Sequence, residues 1–173
     1  MFFEKKYDSA KAAFNKLIVD YPEGYFVNDA LQLMLLLEAA SGADDLLYDY
    51  SNALLFEQRR RYDSMAVVLE RIAVNENPAL ADVALYRLAL LSLDRFDSTS
   101  ALGFVDRLQE RLPESYYLPY GLKIKADILL TSPDTEEAGR EIFRHLLEAH
   151  PNYPFTSEVR KRLRELELDR RTG

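Results

Sequence analysis

The sequence of 173 residues contains no cysteine and no tryptophan, and both glycine (6) and proline (7) are scarce. The absence of cysteine excludes disulfides, thiolate metal sites and cysteine nucleophiles. With so few residues that form turns, long helices are favoured over many short strands. The longest apolar stretch, 30–37, is interrupted by Gln32 and is far shorter than the roughly 20 residues of a membrane-spanning helix, so no direct membrane insertion is expected.

Acidic residues outnumber basic residues, 29 to 22, and the formal net charge is −7. This charge repels phosphate backbones, so a nucleic-acid partner is not expected. Two runs, 59–61 and 160–164, are rich in basic residues although the net charge of the chain is negative. The first is predicted to end a helix, where the dipole favours cations, and acidic residues surround the second and weaken its field.

A pattern of one small residue, two large apolar residues and one proline recurs along the chain. The small residue allows two helices to approach closely, the large residues share one helix face, and the proline ends the helix. We therefore predict that the small residues are buried at helix contacts. The pattern occurs with spacings of four, three and five residues at Ala10, Phe14, Leu17, Pro22; at Ala101, Val105, Leu108, Pro113; and at Gly139, Phe143, Leu146, Pro151; it also occurs with one additional residue at Met65, Leu69, Ile72, Pro78.

An aromatic–Asp–Ser tripeptide precedes three of these patterns and begins at Tyr7, Tyr62 and Phe96. Asp is a preferred N-cap because its side chain accepts hydrogen bonds from the first amides of a helix. The tripeptides therefore predict three helix starts with Asp as the N-cap. The fourth pattern follows Ser132 and Pro133, which predict an N-cap and the first helical position.

The recurring pattern resembles the second helix of the tetratricopeptide repeat family. The first helices are similar as well, with Ala53, Ala89 and Ala126 in the small position. The resemblance extends from about residue 5 to residue 151 and implies an all-α fold, a right-handed superhelical solenoid of antiparallel helix pairs. Segments 21–25 and 113–116 are similar to the Pro-x-Ser-x-Tyr style of repeat in bacterial envelope proteins, which implies a bacterial protein of the envelope or periplasm.

The sequence predicts about nine helices in one solenoid domain spanning residues 1–173. Pro22 and Pro78 are 56 residues apart, against 35 and 38 for the later prolines, so one extra helix is expected between them. Segment 5–19 corresponds to a second helix without its first, which suggests a fragment of a longer array. Residues 155–168 are predicted as a capping helix and 169–173 as a disordered tail. The predicted helices lie near residues 5–20, 25–41, 44–60, 62–75, 79–94, 97–112, 116–131, 134–149 and 155–168.

Catalytic chemistry has little support in the sequence. Glu141, His145 and Glu148 share one helix face and could hold a metal, but a solvated face with an ordinary mixture of charges explains them as well. No glycine-rich phosphate loop is present. We therefore expect no cofactor, no metal site and no catalytic residue, and the chain is not expected to be an enzyme.

The family resemblance implies a concave groove lined by the first helix of each repeat. The lining positions lie three residues before and one residue after the small residue, and Tyr120 lies one turn before Lys123 on the same face. Tyrosine gives a large contact area with a polar tip, which suits peptide capture, although packing between repeats explains any one of these tyrosines equally well. The predicted groove residues are Tyr50, Leu54, Tyr86, Leu90, Tyr120, Lys123 and Asp127.

The favoured function is therefore a scaffold that binds a protein or peptide partner in this groove. The alternative is self-association, in which the unpaired first helix and the apolar segment 31–37 form a homodimer interface at the N-terminal end. We predict that this end, from Phe2 and Phe3 onward, carries the largest exposed apolar area and that a partner covers it. Segment 31–37 is apolar all round, which is typical of a helix meant to be buried on every side. An enzyme or a nucleic-acid binder is the third possibility.

Overall fold

The computed structural model describes the backbone of residues 2–172 and the side chains of residues 3–168. These residues form nine α-helices after one short 3-10 helix, and no strand occurs among them. The 3-10 helix is Phe2–Glu4, and the α-helices are α1 Tyr7–Asp20, α2 Val27–Ala39, α3 Asp44–Gln58, α4 Tyr62–Ala73, α5 Pro78–Asp94, α6 Ser98–Arg111, α7 Leu118–Leu129, α8 Glu136–Ala149 and α9 Thr156–Thr172.

The all-α prediction is confirmed, and each predicted helix is present with ends that differ by a few residues. The extra helix between Pro22 and Pro78 is also present, since both α2 and α3 lie there. Helix α9 continues to Thr172, past the predicted end at residue 168, because its Glu, Leu and Arg residues are all good helix formers. It therefore includes most of the segment assigned to a tail. The right-handed superhelix stays a prediction.

The chain divides into two compact units, Met1–Leu88 (unit 1) and Ala89–Gly173 (unit 2), and the boundary falls inside α5. In unit 1, α1 packs on α2 and α3 packs on α4. In unit 2, α7 packs on both α6 and α8, and α8 packs on α9. Neighbouring helices along the chain therefore pair within each unit. The assignment of all 173 residues to one domain stays a prediction.

The small residues of the recurring pattern are buried as predicted: Ala10 is 2% exposed, Ala101 is 0% exposed and Gly139 is buried. At Gly139 the helices α7 and α8 approach most tightly. A Cβ atom there would lie 2.8 Å from Cγ of Leu130 and 3.0 Å from the carbonyl oxygen of Ala126. Only glycine fits this contact without displacing a neighbour. The small position of the recurring pattern therefore marks a close approach of the α7 and α8 backbones.

The prediction of Asp as the N-cap is right at one tripeptide and wrong at two. Asp97 is the N-cap of α6, and its side chain accepts a hydrogen bond from the Ser100 amide at 3.0 Å. Helices α1 and α4 begin one residue before the Asp, so that Lys6 and Arg61 are their N-caps. Asp8 and Asp63 therefore lie in the first turn, where a carboxylate still favours the positive end of the dipole.

The reason is that backbone geometry, rather than the tripeptide, sets the helix register. A residue with positive φ precedes each of the three N-caps: Lys5 (56°), Arg60 (55°) and Phe96 (59°). The first two tripeptides begin two residues after the residue with positive φ, whereas the third begins at that residue, Phe96. The buried small or apolar residue, in contrast, lies at the same position, three residues after the first residue of each helix.

The start of α8 also differs from the prediction. The helix begins at Glu136 with Thr135 as the N-cap, so Ser132 and Pro133 belong to the preceding turn. The Thr135 hydroxyl donates to the carbonyl oxygen of Leu129 at 2.6 Å. This bond uses the hydroxyl to close the turn from α7 rather than to accept from the amides of α8. Glu136 and Glu137 fill the first turn, as the dipole favours.

Candidate functional site

The predicted groove residues are divided between the two units. Tyr50, Leu54 and Tyr86 lie in unit 1, on α3 and α5. The other four lie in unit 2: Leu90 is on the last part of α5, and Tyr120, Lys123 and Asp127 are on α7. One continuous surface formed by all seven stays a prediction, so each group is described by itself.

Tyr50 is a core residue of unit 1, with an exposed fraction of 3%. Arg87 Nε donates to the Tyr50 hydroxyl at 3.0 Å, and Arg87 Nη1 donates to a carboxylate oxygen of Glu57 at 2.8 Å. Burial raises the pKa of the Tyr50 phenol, and this effect outweighs the opposite effect of Arg87. The ring therefore joins α3 to α5 and offers almost no surface to a partner.

The other predicted residues outside α7 keep accessible surface. Leu54 lines an apolar groove of about 430 Å³ in unit 1, together with Phe3 and Phe14. Tyr86 is half-buried, and Leu90 is exposed.

Tyr120, Lys123 and Asp127 lie along one face of α7, against the start of α9. Lys123 Nζ is 2.9 Å from a carboxylate oxygen of Asp127 and 2.9 Å from one of Glu158. Burial acts against the charged amine, but the hydrogen bonds to both carboxylates outweigh it, so the pKa of Lys123 is raised. The lysine is thus engaged by two acids of its own unit, and it ties α7 to α9.

Four aromatic rings surround Tyr120 and form with it what we call the tyrosine cluster: Tyr116, Tyr117, Tyr120, Tyr153 and Phe155. The Tyr120 ring lies 4.9 Å from that of Tyr153 and 5.5 Å from that of Tyr116, and it meets the Tyr153 ring edge to face. The hydroxyls of Tyr116 and Tyr120 are hydrogen-bonded at 3.1 Å. Tyr116 (59%) and Phe155 (41%) are the exposed members. The cluster therefore presents aromatic surface held in place by ring contacts.

Two turns of the same geometry bring these rings together. In turn 112–118, the Ser115 amide donates to the Leu112 carbonyl at 3.0 Å and the Leu118 amide donates to the Ser115 carbonyl at 3.1 Å. In turn 150–156, the Tyr153 and Thr156 amides make the corresponding bonds at 3.0 and 3.1 Å. A proline follows the first residue of each turn and prevents the helix from continuing.

A groove of about 550 Å³ lies between these two turns, and we call it the turn groove. Sequence reasoning identified only Tyr120 in it and missed Tyr116 and Tyr153. The available signal was that aromatic residues follow both prolines within four residues, Tyr116 and Tyr117 after Pro113 and Tyr153 and Phe155 after Pro151. The lining residues are Pro113, Glu114, Ser115, Tyr116, Pro119, Tyr120, Ala149, His150, Pro151, Asn152, Tyr153 and Pro154.

Unit 1 contains a third turn of this kind, 21–27, with amide–carbonyl bonds from Gly24 to Tyr21 at 2.8 Å and from Val27 to Gly24 at 3.1 Å. Its aromatic residues are exposed, Tyr25 by 93%. With the other exposed large apolar side chains of α1 and α2 they make up what we call the α1–α2 surface, which comprises Val19 (67%), Tyr21 (67%), Tyr25 (93%), Phe26 (63%) and Leu35 (60%).

Within this chain segment 31–37 is only partly covered, so its burial on every side with the help of a partner stays a prediction. Leu37 is buried, but Leu35 is 60% exposed and the leucines at 31, 33 and 36 are half-buried. Helix α2 packs on α1. Exposed apolar area at the N-terminal end is present as expected, and Phe3 is 42% exposed. The predicted exposure of Phe2 lies outside the described side chains.

The side chains of residues 3–168 include no group of three His, Cys, Asp or Glu placed to hold a metal ion. His145 and His150, the two histidines of the sequence, have ring centroids 6.4 Å apart with the rings nearly perpendicular. None of the described helices combines the length and the apolar character that crossing a bilayer requires.

Residues 1–24 match a sequence model of the tetratricopeptide repeat. The match covers α1 and most of the turn after it, and it confirms the inferred resemblance for the first occurrence of the recurring pattern. No curated protein and no solved structure matches the chain. Repeats of this family are, in general, protein–protein interaction modules and typically not enzymes. The bacterial envelope assignment and the longer array stay predictions.

Proposed function

We propose that this chain is a protein-interaction module that binds a segment of a partner protein on the tyrosine cluster and the adjacent face of α7. One observation carries the proposal: Tyr116, Tyr120 and Tyr153 line a groove of about 550 Å³ between two turns of unit 2. This volume falls within the range of about 300–1,000 Å³ that is usual for binding pockets.

The chemistry of the surface suits a protein ligand. Tyrosine rings contribute large contact areas, lose little conformational entropy and carry a hydroxyl that hydrogen-bonds to a peptide backbone. The ring contacts within the cluster fix the side chains before a partner arrives, which lowers the entropic cost of binding. Lys123 is held by Asp127 and Glu158, so it does not serve as a separate anchor for a partner's carboxylate.

The remaining predicted residues belong to the proposal as secondary contacts. Leu54, Tyr86 and Leu90 have accessible surface, and Asp127 is exposed beside Lys123. A partner segment bound at the tyrosine cluster would reach Asp127 along the same face of α7. Tyr50 is excluded from direct contact by its burial.

The test is a selection of binding peptides from a random display library on the immobilised chain. Enriched peptides are then titrated against the wild type, Tyr116→Ala and Tyr62→Ala. Tyr62 is the matched control, since it is an exposed tyrosine (42%) of unit 1. We expect binders that lose about tenfold or more in affinity with Tyr116→Ala and are unchanged with Tyr62→Ala. Equal affinities for all three proteins would rule out this surface.

A second function, self-association through the α1–α2 surface, is favoured by the exposure of Tyr25 (93%) and Phe26 (63%). Sedimentation of the wild type over a concentration series tests it, with Tyr25→Ser as the disrupting variant. Phe96→Ser is the control, because Phe96 is as exposed (96%) but lies in unit 2. A wild type that stays monomeric at the highest concentration would eliminate this second function.

A further inference from the structure

We infer that the turn groove takes an extended, proline-rich segment that carries a basic residue beside its prolines. This inference rests on the proposed function and specifies the chemistry of the partner. It follows from three properties of the groove: its aromatic rings and prolines, its polar donors and its charge.

The walls of the groove are stiff and apolar. Tyr116, Tyr120 and Tyr153 supply rings, and the prolines at 113, 119, 151 and 154 supply rigid pyrrolidines. Proline-rich segments adopt the extended polyproline II conformation, whose pyrrolidine ridges pack between aromatic rings. Because such a segment is ordered before binding, little entropy is lost when it enters a preformed groove.

The polar groups of the groove match a chain that has carbonyls but few amide protons. Proline residues have no N–H to donate, whereas their carbonyl oxygens remain acceptors. Tyr116 and Asn152 place a hydroxyl and a side-chain amide at the exposed rim, and both can donate to such carbonyls. Helical partners use their carbonyls internally, so these donors would gain nothing from a helix.

The charge of the groove favours a partner with a basic residue beside its prolines. Glu114 is the one carboxylate among the lining residues, it is exposed, and no ion pair of Glu114 occurs within the described side chains. The lining contains no lysine or arginine. A lysine or arginine next to the partner's prolines would therefore meet a carboxylate and no opposing cation. The net charge of −7 acts in the same direction at longer range.

The experiment measures fluorescence anisotropy with labelled peptides of about ten residues. One peptide is proline-rich with a single arginine, the second has glutamate in place of the arginine, and the third keeps the arginine in a glycine–serine sequence. Each is titrated against the wild type, Tyr116→Ala, Glu114→Gln and the control Tyr62→Ala. Both substituted groove side chains are exposed, so the variants are expected to remain folded.

We expect the arginine-containing proline peptide to bind at least about tenfold more tightly than the glycine–serine peptide, and Tyr116→Ala to abolish this difference. Glu114→Gln should lower the affinity for the arginine-containing proline peptide by about threefold. It should not lower the affinity for the glutamate-containing peptide. Tyr62→Ala should change neither affinity. Equal binding of the proline and glycine–serine peptides, or no effect of Tyr116→Ala, would overturn the inference.

The display selection separates this outcome from failure of the proposed function. If selected peptides lack proline but still depend on Tyr116, the interaction surface is correct and the proline-rich partner is wrong. If no selected peptide depends on Tyr116, both proposals fall.

Discussion

The guanidinium of Arg140 donates a hydrogen bond to the main-chain carbonyl oxygen of Leu166 at 2.7 Å. Arg140 is only 4% exposed, and it is also paired with Glu136, one turn earlier on the same helix. The contact joins α8 to α9, so that a buried charge, and not only apolar packing, holds the last helix on unit 2. The sequence shows an arginine at position 140, but it does not show that this arginine bonds to Leu166 of α9.

Replacement of Arg140 should therefore destabilise unit 2. Arg140→Ala removes a buried hydrogen bond and leaves the acid partner Glu136 unmatched, so we expect a loss of about 2–3 kcal/mol in the free energy of unfolding. The control is Arg144→Ala, which breaks the exposed ion pair with Glu137 and should cost below about 1 kcal/mol. Urea unfolding followed by circular dichroism measures both. Similar small losses in the two variants would show that the Arg140 contact is energetically unimportant.

Two glycines should respond in opposite directions to the addition of a side chain. Gly139→Leu forces atoms into the space of Leu130 and the Ala126 carbonyl, and should cost about 1–3 kcal/mol. Gly103→Ala adds a methyl group to α6 where no atom beyond the adjacent backbone of the same helix lies within 4 Å, and should stabilise by about 0.5–1 kcal/mol. Thermal and urea unfolding of the two variants test the pair. If Gly139→Leu were neutral, the close approach of α7 and α8 would not exist in solution.

The left-handed residue at the turn into α6 provides a separate test. Phe96 has φ of 59° and is 96% exposed, so its side chain contributes strain without packing. Phe96→Gly and Phe96→Ala both remove the ring, but only glycine adopts this conformation without a steric cost. We expect the free energy of unfolding of the glycine variant to exceed that of the alanine variant by about 1 kcal/mol. The glycine variant should therefore unfold at a higher urea concentration. An alanine variant of equal stability would contradict the left-handed geometry.

The buried phenol of Tyr50 should make the protein sensitive to alkaline pH. Its pKa in the folded state is raised above the ordinary value of 10.0 by burial. The unfolded chain therefore releases the phenol proton first, so the contribution of Tyr50 to stability is intact below about pH 10 and is lost as pH rises through the folded pKa.

Unfolding free energies measured between pH 8 and 11 should fall more steeply for the wild type than for Tyr50→Phe. The slope of the variant should not vanish, because burial also raises the pKa of Tyr7, which hydrogen-bonds to the Asp44 carbonyl at 3.1 Å. Identical slopes in the two proteins would show that Tyr50 is not buried as described.

The sequence by itself determined the helices and the positions of closest packing. Those features depend on residues near one another along the chain: apolar spacing, prolines that end helices and small residues such as Gly139, whose burial required no knowledge of its partner. Local signals for helix starts misled at Ser132 and Pro133 and at the Asp of two aromatic–Asp–Ser tripeptides. At the tripeptides, the left-handed residue and the buried Ala10, Met65 and Ala101 determine where the helix begins. The position of the Asp does not determine it.

Only the tertiary structure decided what each tyrosine does. Tyr50 and Tyr120 were equivalent candidates by sequence, yet Tyr50 is buried against Arg87 of α5, whereas Tyr120 lies beside the rings of the turn after α8. Burial depends on the helix or turn that packs opposite, and that neighbour lies more than thirty residues away in both cases. Spacing along one helix fixes the direction of a side chain but carries no information about what it meets.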